Sequence, residues 1–285
     1  MRPFLVTLLI PLALVACNEA ADTASTGAEP SQDRFDSARA WDVLKHQVGL
    51  GERPAGSAAS RELAAYLKHR VPHGRYQRVP DGLRNVVGRV PGRDENRVVL
   101  VGAHYDTKDL DGFVGANDGA SGTAVALRLA REIEPRTIRP TLLFVFFDGE
   151  ESPRGAADGE FEEKGLRGSK VAARRFADRV DRMILLDFVG DKELSIPREA
   201  YSRRGLWARL REAAGRAGAA ATFPAGTAGG VLDDHIPFLK RGVPSIDLID
   251  FGFPCWHRPC DDLSAVSEAS LDRVGETMME LLPTL

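Results

Sequence analysis

Five short runs along the chain are predominantly apolar: 85–90, 98–103, 141–147, 183–186 and 245–249. They are rich in Val, Ile, Leu or Phe, which predicts strands buried on both faces. Between them, apolar residues recur every three or four positions, predicting helices at about 58–70, 119–134, 168–178, 203–217 and 265–282. Leu63, Tyr66, Leu67 and Val71 share one face of the first helix; Leu271, Val274, Met278, Leu281 and Leu282 share one face of the last. Arg53-Pro54-Ala55-Gly56-Ser57 reads as the entry to the first helix, with Ser57 or Ser60 as its cap and no part in a site. Alternation of strand and helix predicts an α/β protein with a mostly parallel, mixed central sheet covered by helices on both faces. No internal repeat and no linker divides 34–285, which is read as a single domain.

The pattern changes at the beginning of the chain. Residues 4–15 form an apolar run of about a dozen residues preceded by Arg2. Crossing a bilayer takes roughly 20 residues, so the run reads as a signal-peptide core. It ends in Leu14-Val15-Ala16-Cys17, which resembles the bacterial lipoprotein signal. That resemblance implies removal of 1–16, a lipid on Cys17 and a place in the cell envelope, facing the periplasm or exterior. Residues 17–33 are small and polar and read as a flexible tether.

Composition narrows the function by exclusion. In 285 residues, 38 basic and 41 acidic side chains leave a formal charge of −3, so no basic excess exists to hold nucleic acid. Three cysteines are too few for a disulfide-built scaffold. With Cys17 assigned to lipid, Cys255 and Cys260 remain, five positions apart, and an oxidising compartment would favour a disulfide between them. The other reading, a pair of zinc thiolates, fits less well, because the neighbouring candidate ligands are carboxylates and imidazoles.

The chemistry collects where the apolar runs end. His104-Tyr105-Asp106 follows the second run, Asp148-Gly149-Glu150-Glu151 the third, and Asp187 the fourth. The fifth leads through Asp250 to Trp256-His257, and Asp118 opens a predicted helix. In open α/β sheets ligands bind beyond the carboxyl ends of the strands, so these side chains can meet at one rim. Singly, each has a plain structural explanation: Asp118 as a helix cap, Glu150-Glu151 as a solvated turn. His46, His69 and His73 are read as structural or surface residues. Crowded carboxylates, however, repel unless a cation neutralises them. Asp, Glu and His without Cys fit zinc in an open catalytic site.

These residues fall in recognisable motifs. His104-Tyr105-Asp106, Gly115-Ala116-Asn117-Asp118-Gly119-Ala120-Ser121-Gly122, Phe147-Asp148-Gly149-Glu150-Glu151 and Leu186-Asp187 resemble the zinc aminopeptidase superfamily over most of 52–285. Within it, Asp233-Asp234-His235-Ile236-Pro237-Phe238 and Trp256-His257 resemble the animal-type glutaminyl-peptide cyclotransferases and their bacterial relatives. The resemblance implies that Asp118, Glu151 and His257 hold the catalytic zinc and that Glu150 is the general acid/base. It also implies that Asp187 and Asp233 form a hydrogen-bonded acid pair near the substrate and that Trp256 lines the pocket. His104 and Asp187 would join Asp118 at a second metal in the two-zinc peptidases; in the cyclases that second position is empty. Two departures stand out. Residues 152–159 lack the tryptophan that animal cyclases carry on one pocket wall, and Asp247 stands about where those enzymes have histidine.

Two chemistries share nearly all these residues. A cyclase converts an amino-terminal glutamine of a peptide or protein to pyroglutamate and releases ammonia, with one zinc expected. An aminopeptidase uses water as nucleophile and two zincs. A binding module built on the same fold is disfavoured, because every ligand position carries a competent residue. Ser121 lies in no Gly-x-Ser-x-Gly elbow and is read as a small residue that lets its helix approach the sheet. No Gly-x-Gly-x-x-Gly follows a strand, so a nucleotide cofactor is not expected. A monomer is the default state.

Overall fold

A computed structural model describes Met1 and residues 33–285; the expected signal over 1–16, the expected lipid site Cys17 and the expected tether over 17–33 lie outside the described residues except for Met1 and Asp33. Six strands build one sheet: β1 (Arg75–Arg78), β2 (Arg84–Val90), β3 (Asp94–His104), β4 (Pro140–Phe147), β5 (Arg182–Leu186) and β6 (Ser245–Leu248). Their spatial order is β1-β2-β4-β3-β5-β6. The last four in that order are mutually parallel, and β2 and β1 add an antiparallel edge. The helices are α1 (Ser37–Gly49), α2 (Ala58–Arg70), α3 (Ala120–Glu132), α4 (Phe161–Lys164), α5 (Arg167–Phe176), α6 (Arg204–Arg216), α7 (Ile236–Leu239) and α8 (Glu268–Leu281).

The two faces of the sheet read directly from side-chain alternation. On β4, Leu142, Phe144 and Phe146 enter the larger core, which the apolar stripes of α1, α2, α3, α6 and α8 cover. Leu143, Val145 and Phe147 point the other way, against Ala172 and Ala173 of α5 and Phe238 of α7. The five sequence-predicted strands and five helices are present with ends shifted by a few residues. Not anticipated were α1, the single-turn helices α4 and α7, and β1, whose Arg-Tyr-Gln-Arg is mostly exposed and carries no apolar signal. Ser57 caps α2, accepting the amide of Ser60 at 3.0 Å.

Parallel register lines up the carboxyl ends. His104 of β3 faces Phe147 of β4, and Leu186 of β5 faces Leu248 of β6, so the acid-bearing segments leave the sheet on one rim. The opposite end is basic: Arg182, Arg203, Arg204 and Arg209 line a hollow that starts where β5 and β6 begin.

The close helix-to-sheet contact sits one residue beyond Ser121. The Ser121 hydroxyl donates to Asn117 O at 2.6 Å and accepts the Val189 amide at 3.1 Å, so it ties loops together. A Cβ on Gly122 would come 2.0 Å from Leu186 O, which only glycine avoids. Gly122→Ala should therefore push α3 off β5 and destabilise the fold by about 1–3 kcal/mol in urea unfolding. An unchanged midpoint would show that α3 yields without cost.

Candidate metal centre

All four rim segments and the start of α3 converge. The His257 Nε2 lies 3.0 Å from Glu151 Oε1 and 3.6 Å from Asp118 Oδ2, and ligand atoms of all three residues lie within 4.8 Å of one another. A second set shares Asp118: His104 Nε2 lies 3.2 Å from Asp118 Oδ1 and 3.3 Å from Asp187 Oδ1. Asp118 thus presents one oxygen to each histidine. All but His257 are buried.

The backbone holds this arrangement by unusual means. Asp118 does not cap α3; that position belongs to Gly119, at φ +79°. A side chain at Gly119 would strike the His104 ring, with Cε1 2.9 Å from a Cβ. Asp118 is instead fixed from behind. Buried Asp261 accepts the amides of Asn117 at 2.7 Å and Asp118 at 3.0 Å. Asp106 does the same for the neighbouring pair, accepting the amides of Glu150 and Glu151, each at 3.2 Å. Arg53, fully buried, donates to the carbonyls of Gln47, Gly51, Val114 and Gly115, so the segment read as a mere helix entry braces the loop that carries Asp118. Burial lowers the Arg53 guanidinium to about 10.

His257 itself sits at φ +52°, a left-handed conformation costing a histidine of order 1 kcal/mol. Cys255 and Cys260, joined by a disulfide with Cα atoms 5.4 Å apart, bracket it. The sulfurs are therefore bonded to each other and away from the imidazole–carboxylate set.

Electrostatically the rim is overloaded with acid. Burial, then the charge of Glu151, raises Glu150 well above the ordinary carboxylate range. Burial raises Asp118 to about 6 and Asp234 to about 7. Asp233 is raised well above normal by burial and then by Asp187; Asp247 is raised by burial and then by Asp233. Asp233 is thus crowded by both Asp187 and Asp247, but the expected hydrogen bond between Asp187 and Asp233 is not formed among the described residues: Asp233 Oδ1 accepts the Asp234 amide at 2.5 Å, and its Oδ2 has no partner. Burial opposes ionisation of Glu151 too, but its hydrogen bond with His257 keeps it below normal. Lys108 Nζ adds a cation 3.1 Å from Glu151 Oε2.

These side chains suit a divalent ion. Asp118 Oδ2, facing His257 Nε2 at 3.6 Å, is buried without a hydrogen-bond partner, a cost of about 1–3 kcal/mol unless a cation or solvent meets it. Asp, Glu and His together are zinc-type donors.

A cavity of about 330 Å3 opens over the trio, lined by Glu150, Asp187, Asp233 and Trp256 among others. Trp256 is 46% exposed and stacks on His257 with ring centroids 4.6 Å apart. On the wall that lacks a tryptophan, Phe161 of α4 supplies an aromatic side chain. The residues without a sequence-assigned role are Arg53, Asp106, Lys108, Asp247 and Asp261. Asp106 stood two places after His104, and Asp261 next to Cys260, but neither spacing tells a ligand from its support.

Residues 85–282 match Peptidase family M28. The glutaminyl-peptide cyclotransferase of Drosophila melanogaster is 29% identical over 216 residues, 63% of this chain. The match spans 58% of the fly protein's length. Among solved structures, the Acidobacteriales bacterium glutaminyl cyclase is 29% identical with a TM-score of 0.75, covering 92% of this chain and 98% of its own. A leucine aminopeptidase precursor from Bacteroides thetaiotaomicron is 25% identical with a TM-score of 0.80, covering 90% of this chain and 100% of its own.

Asp261→Asn should leave the fold intact yet lower zinc affinity by about 10–100-fold in a chelator-competition titration, because Asp118 would lose its charged anchor. Unaltered affinity would reduce Asp261 to a space-filling role.

Proposed function

Peptidase family M28 is the family to which this chain belongs, and from that membership and the rim geometry we propose a zinc-dependent glutaminyl-peptide cyclotransferase, acting on peptide or protein amino termini. The observation that carries the reading is Trp256 stacked on His257 at the mouth of the cavity, with Asp233 at its back. The wall this ring forms suits one amino-terminal residue, and the curated and solved relatives named as cyclases support the same choice.

Asp118, Glu151 and His257 would hold zinc, which supplies Lewis acidity toward the side-chain amide oxygen of the glutamine. Glu150, outside that trio, takes a proton from the substrate α-amine as the amine nitrogen attacks the amide carbon. The new C–N bond closes the five-membered ring; the old one breaks, and Glu150 returns the proton to the departing ammonia. Its raised affinity for protons suits both halves of this exchange. Asp187 and Asp233 line the same cavity, where their oxygens can accept hydrogen bonds from the amino terminus.

Aminopeptidase activity is the second reading, favoured by one observation: the complete His104, Asp118 and Asp187 set that a second zinc would need. Membrane attachment through Cys17, removal of 1–16, a tether over 17–33, a catalytic domain over 34–285 and a monomeric state belong to the proposal as well. The apolar run and Leu-Val-Ala-Cys support the attachment.

Purified protein with zinc should release ammonia from an amino-terminal glutaminyl peptide and leave a leucyl amide uncut, with one zinc per chain. Cleavage of the leucyl amide with two zincs would establish the peptidase instead. Glu150→Gln should lower turnover by on the order of 10²–10⁴ while zinc stays bound; loss of the metal would make Glu150 a ligand.

A further inference from the structure

The catalytic cavity does not end at Trp256. A second cavity of about 780 Å3 adjoins it, and Gly230, Val231, Ile249 and Phe251 line both. The two meet along this shared wall: a narrow end over the metal-binding trio, and a wide end along the loop after β5 and the segment 228–231. Volumes of this size are typical of sites that enclose a ligand.

The wide end has a definite chemistry. Pro197, Ala228, Val231, Ile249 and Pro254 make an apolar floor, and Asp191, Glu193, Glu199 and Asp250 are its charged groups. Among the described lining residues there is no Lys, Arg or His. Two of the acids serve the fold. Asp250 accepts the amides of Ser195 at 2.7 Å and Gly252 at 3.2 Å, and Asp191 Oδ1 accepts that of Glu193 at 3.1 Å. Glu193 presents an exposed carboxylate. Glu199 is buried; its Oε2 accepts the Tyr201 amide at 2.8 Å, and its Oε1 has no hydrogen-bond partner, with His235 Nε2 3.3 Å away. Apolar walls with unneutralised carboxylates suit a chain that brings both methylene groups and positive charge.

The position of this cleft says which chain that is. A glutaminyl residue reaching Glu150 with its amine leads its carbonyl back toward the opening, where exposed Phe251 and Trp256 stand, and Phe251 also lines the wide end. An extended peptide advances about 3.3–3.6 Å per residue, so the next two or three residues fall over the wide end.

We propose that this acidic cleft is the subsite for residues 2–4 of the substrate and that Glu193 and Asp191 make the enzyme select lysine or arginine there. The inference rests on the cyclase reading and specifies its substrate class: amino-terminal glutamine followed by basic residues. Lysine and arginine stems cover the apolar floor while their heads reach the carboxylates.

The test compares Gln-Lys-Arg-Ala, Gln-Ala-Ala-Ala and Gln-Glu-Asp-Ala by ammonia release, each kcat/KM divided by that for glutamine amide in the same enzyme. The basic peptide should exceed the acidic one by about tenfold at low ionic strength, chiefly through KM. The gap should shrink as salt rises. Glu193→Lys, an exposed change, should remove or invert the ranking. Equal values for the three peptides, or a ranking that survives Glu193→Lys, would overturn the proposal. If no glutaminyl substrate releases ammonia, the cyclase reading has failed separately. The same series headed by leucine, followed by hydrolysis, then measures the cleft: persistence of the basic preference upholds the subsite, its absence overturns it.

Discussion

The repulsion among carboxylates at the rim constrains everything else in this structure. Asp118, Glu150, Glu151, Asp187, Asp233, Asp234 and Asp247 are all buried, and among the described residues the side chains able to carry positive charge against them are His104, His235, His257 and Lys108. Such a group cannot remain ionised in a dry setting. It must bind a metal, hold protons, or do both. The arrangement separates the acids: Asp118, Glu151 and Asp187 each lie within 3.3 Å of a histidine nitrogen, whereas Glu150, Asp233, Asp234 and Asp247 are raised by burial and by neighbouring carboxylates. Acid/base chemistry at neutral pH follows from that division.

Holding like charges together requires a frame that does not relax. Parallel strands bring their ends to one line, and the turns beyond them are pinned by amides donated to buried acids. Asp106 fixes Glu150 and Glu151, Asp261 fixes Asp118, and Arg53 braces the loop between them. Those contacts orient the peptide groups and leave the functional carboxylates free. Of the six non-glycine residues with positive φ among the described residues, His257, Phe188 and Leu166 lie in this zone, and His73, Asp81 and Arg136 lie in turns outside it.

Much of this was legible in the sequence because burial writes itself as apolar runs and because motifs place ligands at run ends. The central strands, the long amphipathic helices and the set Asp118, Glu150, Glu151, Asp187, Asp233, Trp256 and His257 belong to that legible part. What escaped has physical reasons. β1 is a polar edge strand held by pairing with β2, so it lacks a hydrophobic signature. α1 has only three fully buried positions, Ala40, Leu44 and Gln47, too sparse to read as a stripe. In the sequence Arg53 belongs only to a helix entry, because nothing local reveals that four carbonyls will surround it. Asp247 sits inside an apolar run, where its neighbours Asp233 and Asp187 are invisible until the chain folds.

The arginine hollow at the far end of the strands completes the acid rim in another sense. Guanidinium groups keep their charge throughout the physiological range, whereas the buried carboxylates at the other pole yield theirs to protons or to a metal. The two ends of the strands therefore respond differently to acidity: a change of pH alters the occupancy of one and leaves the other as it was.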